Sequence, residues 1–216
     1  MLEYIQPVVV YWGLLAFVAG AVLAGFLGRM GRRMCNGESS HFIGEILLAI
    51  LFFAATIRWG ITPKLVMILS FFCILYLLSF VDIYIQEIPD FCHIIAIGIR
   101  FIYYFLFEGF QFESLLRLIA GGLLVALPLL VVTVLMEKIL QKELFGGGDI
   151  KLIFVTGMYL GWELNVFMLL AACILGLVIS LIQGSRTEKG IYFSFGPVIA
   201  AATVVCLFLG ENSIHL

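Results

Sequence analysis

Apolar runs long enough to cross a bilayer fill most of this 216-residue chain. A membrane-spanning helix needs about 20 consecutive apolar residues. Eight apolar segments can be read, at about 7–28, 43–57, 65–81, 91–107, 114–136, 150–162, 164–183 and 191–210. Short polar connections separate them, which leaves almost no mass for a soluble domain. The expected fold class is an all-α membrane protein, a polytopic bundle of about eight transmembrane helices forming a single domain over 1–216. The sixth segment is the shortest. At roughly 13 residues it suits a half-span or re-entrant piece.

Composition narrows the function classes. Hydrophobic residues make up 63% of the chain, charged residues 12%, and the mean hydropathy is +1.18. A globular domain runs closer to half apolar and a quarter charged. Disorder, a nucleic-acid-binding module and a typical soluble enzyme are excluded. The net charge of −2 gives no polybasic surface. No Lys or Arg precedes the first apolar run, so that run reads as a retained helix rather than a cleaved signal. The five cysteines are scattered, with no CxxC, and support neither a thiolate metal site nor a disulfide frame. They read as small buried apolar residues.

Lys and Arg in short loops set the expected orientation. Arg29, Arg32, Arg33, Lys138, Lys142, Lys151, Arg186 and Lys189 fall on one side, against Arg58, Lys64 and Arg117 on the other. The richer side is expected to be cytoplasmic. Arg100 lies inside the fourth segment.

Only three aspartates occur, Asp82, Asp90 and Asp149, and all fall on that expected cytoplasmic side. Asp82 ends the third segment. Asp149 opens the sixth, within Phe145-Gly-Gly-Gly-Asp-Ile-Lys151. Segments four and five form an out-and-back pair between them, so both carboxylates belong to one membrane face whichever way the protein is inserted. A carboxylate at a membrane boundary is costly and is a functional hypothesis by default. Two that share a site split their titration, and one can act as acid while the other acts as base on a water. The bland alternative is a pair of helix-end charges.

Gly146, Gly147 and Gly148 let another backbone approach closely, as an extended peptide would. They also suit a flexible connection into the sixth segment. The spacing lacks the Gly-Lys-Ser/Thr ending of a phosphate-binding loop.

These residues resemble a known family. Asp82 followed by Ile88-Pro89-Asp90 resembles the first aspartate motif of the bacterial type IV prepilin peptidases. Gly146-Gly147-Gly148-Asp149 with Ile150-Lys151-Leu152 resembles their second, the GxGD signature. The likeness continues through Gly157, Leu160-Gly161-Trp162 and Phe195-Gly196-Pro197. Gly25-Phe26-Leu27 and Glu45-Ile46-Leu47-Leu48 resemble the ends of the family's N-terminal region. The resemblance implies an eight-helix membrane protease that removes the basic leader of prepilins and pseudopilins at the cytoplasmic face of the cell (inner) membrane. It implies Asp82 and Asp149 as catalytic residues, with Gly146, Gly147, Gly148, Lys151, Pro89 and Asp90 as a supporting loop. It implies no cofactor for proteolysis, and S-adenosylmethionine only where the new N-terminus is also methylated. The partners implied are prepilin-like substrates and membrane lipid, with no nucleic acid.

One departure stands out. The family's large first cytoplasmic loop, with two cysteine pairs that bind zinc, is reduced here to about Arg29–Phe42 with Cys35 alone. Residues 1–64 therefore read as a reduced N-terminal region and 65–210 as the catalytic core. No metal is expected, and methylation is in doubt.

Other polar residues in apolar surroundings have structural readings. Arg100 and His93 lie seven residues apart, roughly on one helix face. A structural ion pair or snorkelling suits Arg100, and a satisfied structural position suits His93, which near Asp90 could instead tune the site. Glu87 and Asp90 could attract a basic leader or form a solvated loop. Gly157 and Gly161 form a GxxxG, a helix-packing face. Gly196-Pro197 should kink or break the last helix. The rival function is a small transporter or channel with boundary carboxylates. It leaves the three glycines and the shared face of Asp82 and Asp149 unexplained, since transport sites usually lie mid-bilayer.

Overall fold

A computed structural model describes residues 7–35, 42–141, 146–183 and 194–210. Lys142, Phe145, Arg186 and Lys189, which enter the orientation and motif arguments, lie outside the described residues. Among the described residues there are seven α-helices, with short non-helical stretches between some of them, and no strand. They are α1 (Pro7–Met34), α2 (Phe42–Trp59), α3 (Pro63–Ile85), α4 (Asp90–Tyr103), α5 (Phe112–Leu140), α6 (Gly147–Gln183) and α7 (Gly196–Leu209). A π-helical turn, Tyr104–Glu108, extends α4. Among the described residues, five helices are long and apolar enough to cross a membrane: α1, α3, α4 with its π turn, α5 and α6. The protein is a polytopic helical membrane protein. Leucine, isoleucine and valine side chains such as Val22, Ile43, Leu181 and Ile182 are exposed, while Thr156 and Asn165 are wholly buried. Apolar side chains can face acyl chains, whereas polar ones must find partners inside.

The sixth and seventh apolar segments form one continuous element, α6, with a break at Gly161 (φ 78°, ψ 166°). Only glycine adopts that backbone without strain. The break is a reversal. A straight helix would set Asn165 about 18 Å beyond Ile153, yet Asn165 Nδ2 donates to the Ile153 carbonyl at 3.1 Å. The two arms, 147–160 and 162–183, therefore fold back on each other. The first arm is about 21 Å long, short of the roughly 30 Å hydrocarbon core.

The chain forms two compact units, Met1–Ile85 and Gln86–Leu216. In the first, α1 packs on α2 and α3 through glycines. A Cβ on Gly20 would come within 2.9 Å of the Phe52 ring and 3.0 Å of the Ala49 Cα. One on Gly31 would strike the Phe80 ring at 2.6 Å. Around Gly28 a polar group gathers from all three helices. Glu45 Oε1 and Tyr76 Oη stand 3.2 and 3.4 Å from where its Cβ would be, with Arg32 beside them.

In the second unit, α5 packs on α6 through small residues. Cβ atoms on Gly121 and Gly157 would each collide with the other's backbone oxygen, and one on Gly122 would collide with the Phe154 carbonyl. Of the expected GxxxG face, Gly157 serves contact, while Gly161 also makes the turn. Pro197 does not kink the last helix. It occupies the first turn of α7, where its missing N–H costs nothing.

Candidate active site

Asp149 sits in the first turn of α6. Its N–H donates to the Gly146 carbonyl at 3.0 Å, which closes the glycine loop against the helix start. Its Oδ1 is shielded from solvent, and Oδ2 lies 3.0 Å from the position of a Cβ on Gly146. The helix dipole at this end favours a carboxylate.

The three glycines meet different surroundings. A Cβ on Gly148 would come within 2.9 Å of the Ile88 Cβ, and one on Gly147 would meet nothing within 4 Å. Gly148 is thus the seat for Ile88, Gly146 lies against the carboxylate, and Gly147 faces open space. Pro89 is the N-cap of α4, with φ −64° and ψ 127°. Its ring fixes the extended entry that turns Ile88 onto the glycine loop.

α4 then runs parallel to the first arm of α6, held by a ladder of contacts. Lys151 Nζ donates to Asp90 Oδ1 at 2.6 Å. Tyr159 Oη donates to the Ala96 carbonyl at 2.7 Å. Arg100 Nε donates to the Met158 carbonyl at 3.0 Å. Both helices start at one end of the unit, so the Ile-Pro-Asp element and the Gly-Gly-Gly-Asp149 loop share a face. The out-and-back reading of the fourth and fifth segments requires this.

Asp82 belongs to the other unit, in the last turn of α3, and is 5% exposed. Phe80 and Val81 beside it are buried too. α3 ends three residues later, where Gln86 takes a left-handed conformation (φ 58°). A carboxylate buried at a helix C-terminus faces an unfavourable dipole.

Residues 69–181 match the model of the type IV leader peptidase family. The chain belongs to that family. It is a membrane peptidase. It is similar to a prepilin leader peptidase/N-methyltransferase of Bacillus subtilis, 30% identical over 207 residues, which is 89% of this chain and 76% of the relative. It is similar to the protein of that name from Pectobacterium carotovorum subsp. carotovorum, 28% identical over 187 residues (84% and 66%). A third, from Pseudomonas putida, is 26% identical over 172 residues (78% and 58%). The chain thus spans between 58% and 76% of the length of these three relatives. No solved structure matches it significantly.

In this peptidase, Gly146, Gly147, Gly148, Asp149, Lys151, Pro89 and Asp90 come together as one constellation. Asp90 is ion-paired with Lys151. Arg100 pairs with Glu108, Nη1 to Oε1 at 2.8 Å, as expected for a structural cation. His93 is buried, but neither ring nitrogen makes a hydrogen bond among the described residues, so it is not the satisfied structural position expected from the sequence; it lies within electrostatic reach of Asp90 and Lys151. Asn165 did not stand out in the sequence reading. Its amide donates to the Ile153 and Gly121 carbonyls, and its Oδ1 accepts from Thr156 Oγ1 at 3.0 Å. The available signal was a lone asparagine in an apolar run just after Gly161, which lipid would not tolerate unsatisfied. Among the described residues, no group of three or more His, Cys, Asp or Glu side chains is placed to hold a metal ion.

Proposed function

We propose that this peptidase cleaves the basic leader from type IV prepilins or pseudopilins, with Asp82 and Asp149 as the catalytic pair. The observation that carries the reading is the seating of Ile88 on Gly148 beside Asp149. It supports the reading by bringing the Ile88-Pro89-Asp90 element of the first motif against the glycine loop of the second, within one unit. The relatives named as prepilin leader peptidases supply the substrate class.

The chemistry follows from two carboxylates that share one proton. The ionised one removes a proton from water, the water oxygen attacks the scissile carbonyl, and the protonated one donates to the carbonyl oxygen or the leaving amine. Asp149, at a helix N-terminus, is the base. Asp82, at a helix C-terminus, is the acid of the pair. No cofactor enters this step. S-adenosylmethionine would be needed only for methylation of the new N-terminus. The open space beside Gly147 suits an extended substrate backbone. The cleavage face is the cytoplasmic side of the inner membrane, from the loop-charge bias.

The test is cleavage of a prepilin with a basic leader in membranes, comparing wild type with Asp82→Asn and Asp149→Asn. Loss of product in both variants supports the pair. Equal cleavage by all three overturns it. The product mass reports whether a methyl group is added.

A further inference from the structure

The short first arm of α6 leaves space at its far end. Arg100 lies about 15 Å along α4 from Asp90, and it bonds Met158, near the same depth on α6. Beyond that level the arm turns back at Gly161, about 21 Å from its start, while α4 with its π turn continues to Glu108. The result is a recess of about 640 Å³ among α4, α5 and the turn of α6. It lies at the end opposite Asp149 and belongs to none of the machinery above.

Its lining carries four charges, Arg100, Glu108, Arg117 and Glu163, together with Leu118 and Leu124. Arg100 and Glu108 neutralise each other. Arg117 and Glu163 are exposed and make no hydrogen bond or ion pair among the described residues. One guanidinium and one carboxylate are thus left on the lining, Arg117 near the start of α5, a helix long and apolar enough to cross a membrane. An anion alone would leave Glu163 unmet, and a cation alone would leave Arg117 unmet.

We propose that this recess binds the headgroup of a zwitterionic phospholipid with a primary ammonium group. Arg117 takes the phosphate and Glu163 the ammonium, while Leu118 and Leu124 line the path of an acyl chain. A guanidinium matches phosphate oxygens with paired N–H donors. A carboxylate accepts hydrogen bonds from –NH3+ that a quaternary ammonium cannot donate. The inference is independent of the proposed substrate.

The experiment is native mass spectrometry of the full chain with phosphatidylethanolamine, phosphatidylcholine or phosphatidylglycerol, and with soluble phosphoethanolamine as competitor. Wild type should retain phosphatidylethanolamine over the other two by about tenfold, the size of one charge-assisted hydrogen bond. Arg117→Gln should lose retention of all three lipids, and Arg117→Lys should recover part of it. Glu163→Gln should erase only the preference for ethanolamine over choline. Soluble phosphoethanolamine should not displace the lipid; displacement at equal concentration would assign the site to a free headgroup and overturn the lipid reading. Equal retention of all three lipids by wild type and variants would overturn the site. Leu124→Trp, which fills the recess, is a second variant, and undiminished lipid retention by it would do the same.

Discussion

Lys151 Nζ stands 2.6 Å from Asp90 Oδ1, joining the start of α6 to the first turn of α4. Both side chains are more than half exposed, so solvent screens the pair and it adds little to stability. Its use is registration: it holds the Ile-Pro-Asp element beside the loop that carries Asp149. Asp90→Asn should lower kcat/KM severalfold without abolishing cleavage. The exchange of both residues, Asp90→Lys with Lys151→Asp, should recover most of the loss. Kinetics on a fluorogenic leader peptide in detergent would read this. Complete loss in Asp90→Asn would make it a reacting group instead.

Asp82→Asn and Asp149→Asn should each remove cleavage by about 10²–10⁴-fold or more, the usual worth of a positioned acid or base. Both proteins should still insert and purify, because the replacement is isosteric. The rate constant under saturating substrate is the quantity to compare. A variant that retained wild-type kcat would not have lost a catalytic group.

The glycines of the loop should separate by role. Gly148→Ala drives a methyl group into the branched Cβ of Ile88, which cannot move without the backbone. Thermal stability should fall by about 1–3 kcal/mol, as for an overpacked contact, and activity should fall with it. Gly147→Ala meets nothing within 4 Å. Its melting temperature should match wild type, while KM rises if a substrate backbone passes there. An unchanged KM would remove Gly147 from the substrate path.

Asn165 tests the α6 hairpin. Its amide satisfies two carbonyls and the Thr156 hydroxyl at a wholly buried position. Asn165→Leu should cost about 1–3 kcal/mol, the penalty for stranding buried polar partners. Thr156→Val in the same chain should add less than its own separate effect, because the two share a bond. Unfolding in mixed micelles by denaturant would measure both. Strict additivity would mean that the bond contributes nothing.

Charge at the mouth of the site has its own test. Glu87 and Asp90 could attract a basic leader, but Asp90 is committed to Lys151. Glu87→Lys should therefore raise KM for a basic leader more than Asp90→Asn does, most clearly at low salt. Equal KM values for wild type and the double charge reversal would remove electrostatic attraction from the account.

Much of this was legible in the residues alone. Apolar run length sets which segments are helical, because lipid offers the backbone no partner. The order of Asp82, Ile88-Pro89-Asp90 and Gly-Gly-Gly-Asp149, with two crossings between, is what leads one to expect the aspartate motifs on one face; within the second unit, the Ile-Pro-Asp element and the glycine loop do lie together. The ion-paired reading of Arg100 needed only the cost of an unpaired guanidinium in a membrane. Tertiary structure decided the rest, because each remaining feature depends on a partner distant in sequence. That Gly161 reverses the chain is visible only when Asn165 reaches back to Ile153. That Gly148 is a seat and Gly147 an opening depends on where Ile88 lands. That Lys151 belongs to Asp90 depends on α4 lying parallel to α6. Periodicity and hydropathy report how a segment relates to its solvent, while side-chain pairing is fixed only when helices dock.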